Sequence, residues 1–156
     1  MRYDVDLVDL QEQHAAVVRG HVRTEEIPGF LGDAFGEVAR VTAGQGLRPS
    51  GAPFGRYRLV GAGAMDVEAG FPVRGAVAAE GRVQPATLPG GRTARTLHVG
   101  EYSGVGAAYE AVQAWLVENG YVGAGEPWES YLDGPDAPEP RTEVFFPCHQ
   151  MRPVHA

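Results

Sequence analysis

The chain has 156 residues, enough for one domain with a sizeable core, and it carries a net charge of −7 without a single lysine. Its thirteen basic residues are all arginines, scattered singly, which argues against nucleic-acid binding because phosphate neutralisation needs clustered cations. One cysteine, Cys148, excludes a disulfide framework; with no membrane-length apolar run and no secretory signal, a cytoplasmic protein that does not enter membranes is expected.

Residues 3–10 alternate, with Tyr3, Val5 and Leu7 against Asp4 and Asp6, and predict a half-buried first strand. Ala15–Arg23 predicts a second, through Val17, Val18 and Val22. From Ile27 to about Ala43 the apolar residues 27, 31, 35, 38 and 41 fall near helical spacing; Pro28 suits the first turn, and Gly44 and Gly46 end the helix. Strands are predicted next at Phe54–Val60 and Met65–Val73, around a glycine-rich turn at Gly61–Gly63. Arg82–Leu88 and Thr93–Val99 are two more, joined by Pro89-Gly90-Gly91. Val105 to Asn119 reads as a helix with Val105, Ala108, Val112, Trp115 and Leu116 on its apolar face. Trp128–Leu132 and Thr142–Cys148 close the set, with a polar, proline-rich loop between them and a frayed tail at 149–156.

The second half repeats the first. Pro53-Phe54-Gly55-Arg56-Tyr57 lies 74 positions before Pro127-Trp128-Glu129-Ser130-Tyr131, and at the same spacing Gly46 matches Gly120, Val38 matches Val112 and Phe35 matches Tyr109. Val67–Val73 matches Thr142–Cys148 at a spacing of 75, and His21-Val22 matches His98-Val99 at 77. An internal duplication of one β-β-α-β-β unit accounts for this, with repeat one at about 1–75 and repeat two at about 76–148 of a single domain. The copies differ most tellingly where Gly55 of the first becomes Glu129 of the second.

Strand alternation puts Glu129 on one face with Tyr131, and Trp128 on the other with Ser130. An acid sharing a face with an aromatic either points into water or serves an apolar site. Other candidate chemistry is weaker. Gly104-Val105-Gly106 has Tyr109 where a dinucleotide loop needs its third glycine, so no cofactor is expected. The five histidines lack ligand spacing, so no metal is expected either. Cys148 and the adjacent His149 point to opposite strand faces and cannot pair. Glu68 and Glu143 occupy matching places in the two copies, which suggests a shared structural job such as a bond to a neighbouring strand.

The pattern resembles the gyrase-inhibitor-like (GyrI-like) effector-binding domain, also found as the drug-sensing half of some AraC- and MerR-type regulators. The residues that carry it are Phe71-Pro72-Val73, Leu97-His98-Val99-Gly100-Glu101-Tyr102, Ala114-Trp115-Leu116 before Asn119-Gly120-Tyr121, Glu129-x-Tyr131-Leu132-x-x-Pro135, and Thr142-Glu143-Val144-Phe145-Phe146-Pro147. The resemblance implies an α+β fold of two β-α-β-β units related by a pseudo-twofold, with antiparallel sheet, two helices and a ligand groove between the halves. It implies a small-molecule binder for lipophilic aromatic or cationic compounds, with Glu129, Tyr131, Tyr102, Trp128, Tyr57, Phe71 and Phe145 as candidate ligand-binding residues. No helix-turn-helix segment is visible, so a stand-alone binder is expected. One alternative is a hydrolase opening cyclopropane-bearing alkylating toxins, with Glu129 and Tyr131 catalytic. Another is a gyrase-type inhibitor acting through a protein partner.

Overall fold

The computed structural model describes residues 3–151, apart from residues 62 and 135. The chain divides into two compact units: an inner one, Gln11–Gly90, and an outer one made of Met1–Leu10 and Gly91–Ala156.

The inner unit holds β2 (Gln13–Arg23), α1 (Ile27–Gly44), β3 (Phe54–Gly61), β4 (Ala64–Pro72) and β5 (Val83–Leu88), the fragment after β1 (Asp6–Leu10) in chain order. Its strands pair antiparallel in the order β3-β4-β2-β5. Alternation directs Ala16 and Val18 of β2 and Val67 and Ala69 of β4 to one face, where Ala34, Val38 and Val41 of α1 cover them. Each such valine stabilises the fold by roughly 1.5–3 kcal/mol through burial. The opposite face carries cross-strand ion pairs, Arg19 and Arg56 on Glu68 and Arg58 on Asp66, with His21 hydrogen-bonded to Asp66 as well.

The outer unit holds β1, β6 (Gly91–Val99), α2 (Val105–Glu118), β7 (Tyr121–Gly123), β8 (Trp128–Tyr131) and β9 (Arg141–Gln150). Its antiparallel order is β1-β6-β9-β8, and β7 pairs with the far end of β9. Ala108, Val112 and Leu116 of α2 pack on Ala94, Val144, Phe146 and Cys148. The fold is therefore α+β, with two helices on antiparallel sheet, as expected. Among the described residues no helix is long and apolar enough to cross a membrane.

The repeat is explicit in the strand registers. Phe54 lies opposite Gly70 and Tyr57 opposite Val67; Trp128 lies opposite Phe145 and Tyr131 opposite Thr142. Both helices end two residues before a glycine in the left-handed region, Gly46 at φ 72° and Gly120 at φ 74°, which only glycine adopts without strain.

β1 pairs with β6, and β2 has both its edges taken by β4 and β5. Two features depart from the sequence reading. β9 runs on through His149 to Gln150, where a frayed tail was expected, because Tyr121–Gly123 forms a strand against it. The match of His21 to His98 is one residue out of step: Gly20 lies opposite Val67 as His98 lies opposite Thr142, so Gly20 is the counterpart of His98.

Candidate functional site

β8 is short and nearly all buried. Trp128 and Ser130 take one face, and Glu129 and Tyr131 take the face that α2 covers, with Glu129 opposite Val144. Glu129 is 2% exposed. Three phenols from three elements converge on its carboxylate. Tyr131, two residues on along the same strand, donates to Oε1 at 2.8 Å. Tyr102, in a 3-10 turn at Tyr102–Gly104, donates to Oε1 at 2.6 Å. Tyr109, on the first turns of α2, donates to Oε2, with its ring set edge-on to Phe146 at 5.4 Å between centroids.

The electrostatics follow from that arrangement. Burial disfavours the charged form and pushes the Glu129 carboxyl above the ordinary glutamate range. The three phenol hydrogen bonds pull the other way, as does the nearby His98, yet burial wins. The balance is physically reasonable. Taking a carboxylate out of water costs several kcal/mol, and three hydrogen bonds to it, each worth about 1.5–3 kcal/mol, offset much of that cost. All three partners are neutral: Glu129 forms no ion pair with an arginine among the described residues.

The candidate residues separate clearly. Glu129, Tyr131 and Tyr102 come together, the two tyrosine rings 6.0 Å apart and tilted by 58°. Trp128 and Phe145 stack on each other at 4.1 Å and 13°, on the sheet face opposite Glu129, so neither faces the carboxylate. Tyr57 and Phe71 belong to the inner unit and pack against its core, Phe71 edge-on to Phe35 at 5.8 Å. Tyr109 is the site residue that the sequence reading did not select. A signal for it existed, since Phe35 becomes Tyr109 in the same copy in which Gly55 becomes Glu129.

Glu68 and Glu143 both reach arginines on neighbouring strands: Glu68 to Arg19 at 2.9 Å and Arg56 at 3.5 Å, Glu143 to Arg95 at 3.9 Å. Cys148 is buried under α2, and burial pushes its thiol up, away from the reactive thiolate. Among the described residues no three His, Cys, Asp or Glu side chains gather as a metal site.

Residues 3–149 match the family model described as the GyrI-like small molecule binding domain. No curated protein matches the chain. Among solved structures, the EcmrR C-terminal domain superposes with a TM-score of 0.84 at 24% identity, covering 97% of this chain and all (100%) of that one. The chain spans 58% of the EcmrR chain in its complex with DNA. SAV2435 bound to tetraphenylphosphonium superposes with a TM-score of 0.59 at 14% identity, over 96% of this chain and 94% of that one. A hydrolase from Listeria innocua does so at 0.66 and 12% identity, over 93% and 91%.

Proposed function

This chain belongs to the GyrI-like family of small-molecule-binding domains, and from that membership we propose that it binds lipophilic aromatic cations at Glu129. One observation carries the proposal: a carboxylate 2% exposed whose hydrogen-bond donors are three neutral phenols. Such a group either bears an uncompensated buried charge or holds a proton it would lose in water. A cation placed against it relieves both conditions at once. A large organic cation with spread charge gives up little hydration on entry, and phenol ring faces attract it further. We place this activity in the cytosol, in keeping with the unpaired Cys148.

Tetraphenylphosphonium, bound in the related SAV2435 structure, is the natural probe. Calorimetry is expected to give a micromolar dissociation constant, about −8 kcal/mol. Glu129→Gln keeps the outline and removes the charge, and should weaken that binding by about 2–5 kcal/mol. Triphenylphosphine oxide, neutral and similar in outline, should lose much less. Glu143→Gln, whose acid serves Arg95 at the sheet surface, should leave the affinity unchanged. If Glu129→Gln binds cation and neutral compound as the parent does, the charge has no part in recognition and the proposal fails.

The raised carboxyl with phenols beside it also suits a general acid or base. A hydrolase opening cyclopropane-bearing toxins, with Glu129 activating water, is the second reading. Ring-opened product in an incubation mixture, abolished by Glu129→Gln, would favour it over simple binding.

A further inference from the structure

We infer that His98 is a positioning residue for this site: it latches the turn that carries Tyr102 and so keeps the Tyr102 hydroxyl on Glu129. The inference rests on Glu129 being the ligand's anchor. His98, in β6, is buried, and its Nε2 lies 2.8 Å from the carbonyl oxygen of Glu101. A carbonyl only accepts, so Nε2 carries the hydrogen, and Nδ1 lies within hydrogen-bond distance of the Tyr3 hydroxyl, 2.8 Å away. The same Glu101 carbonyl accepts the backbone N–H of Gly104 at 3.0 Å, the bond that closes the turn. The imidazole also lies against Gly104, where an added Cβ would come within 3.2 Å of its Cε1. One side chain thus holds both ends of the turn.

Tyr102 is the donor that needs this support. It is 42% exposed, while Tyr109 and Tyr131 are half-buried on a helix and a strand. The inner unit supplies an independent comparison. There Gly20 stands in the place of His98, and the Phe30 ring fills the space from the helix side, 2.5 Å from where a Gly20 Cβ would lie. That unit also has Gly55 in place of Glu129. Latch and carboxylate occur together in one copy and are both missing from the other.

The test reads the protonation of Glu129 in the full chain. The titratable groups facing it are Tyr102 from the turn, Tyr109 from α2, Tyr131 from β8 and His98 from β6, while β9 presents Val144; His98 in turn faces Tyr3 and the Glu101 backbone. Carbon-13 glutamate NMR of the free protein would follow the carboxyl through a pH titration in the parent, His98→Leu, His98→Gln, Tyr102→Phe and the His98→Leu/Tyr102→Phe double variant. Tetraphenylphosphonium affinity would be measured on the same set.

His98→Leu is expected to raise the Glu129 midpoint as Tyr102→Phe does, because each deprives the carboxylate of one donor. It should also weaken tetraphenylphosphonium about tenfold, the scale of one hydrogen bond to a charged group. The double variant should go no further than either single change. Glutamine can place an N–H near the former Nε2, so His98→Gln should restore parent behaviour. A His98→Leu effect that persists undiminished in the Tyr102→Phe background, with no rescue by Gln, would mean that His98 acts through its own charge and would overturn the latch. So would an unmoved midpoint. Should His98→Leu fail to fold, Tyr3→Phe releases Nδ1 more gently and must shift the midpoint upward by a smaller amount, or the inference falls. If the parent takes no tetraphenylphosphonium, the functional reading fails while the NMR titration still decides the latch.

Discussion

Glu129 makes the free protein depend on pH in the sense opposite to a salt-bridged acid. Its carboxyl titrates higher folded than unfolded, so between the two midpoints the folded state holds a proton that the unfolded chain has released. Stability contributed by Glu129 is therefore fully present below the unfolded midpoint and is lost as pH rises through the folded one. Glu129→Gln removes that loss. The variant is expected to gain on the parent in denaturant midpoint from pH 4 to pH 8, and a difference that shrinks over that range would show that burial does not control this group. Tyr109→Phe belongs to the same residue-level argument. It keeps the ring against Phe146 and deletes a phenol donor on Oε2, so tetraphenylphosphonium binding should weaken by about 1.5–3 kcal/mol. A spectator hydroxyl would leave the isotherm unmoved.

At the scale of elements, the two copies solve one packing problem in reciprocal ways. Where strand meets helix start, the inner unit uses a small strand residue and a large helix residue, Gly20 and Phe30; the outer unit uses His98 and Gly104. Gly20→Ala drives a Cβ into the Phe30 ring and should cost about 1–3 kcal/mol, the usual range for overpacking. Adding Phe30→Ala should relieve part of that cost, and strict additivity of the two in urea unfolding would contradict the contact. Gly70 is less forgiving, since a Cβ there would lie 1.8 Å from the Ala16 carbonyl oxygen, which is backbone and cannot step aside. Much of this was legible in the sequence. The paired runs Pro53–Tyr57 and Pro127–Tyr131 do form matching strands, and Glu129 stood out because its counterpart is a glycine. Tyr109 stayed hidden because a phenylalanine-to-tyrosine change adds one oxygen to a residue that already packs as core. The three-residue β7 is too short to show a period, and the reach of β9 to Gln150 depends on that distant partner. The exchange of His98 for Gly20 was obscured by the coincidence of His21 one position on.

For the molecule as a whole, the consequential feature is that its first strand belongs to the unit that holds its last. A connection of two residues, Gln11 and Glu12, separates β1 from β2 and would ordinarily suggest a local hairpin; instead β1 closes the edge of β6 in the outer unit. The segment before β2 supplies more than an edge. Asp4 offers its carbonyl to Thr96 at 2.8 Å, Asp6 pairs with Arg95 at 2.8 Å, Leu7 packs on the α2 core, and Tyr3 holds His98. The outer unit therefore cannot complete itself until the whole inner unit has emerged and its ends have been brought back together, a non-local closure that slows folding. Deleting residues 1–10 should strip that support from β6 and leave the ladder of β2 with β4 and β5 intact. Hydrogen exchange should then show protection lost in β6 and in the Tyr102 turn while residues 15–18 and 67–70 keep theirs, and tetraphenylphosphonium binding should fall below detection. Uniform loss of protection across both units would mean that the chain unfolds only as one cooperative body. Retained binding in the shortened chain would mean that Glu129 and its three phenols stand without the strand that begins the sequence.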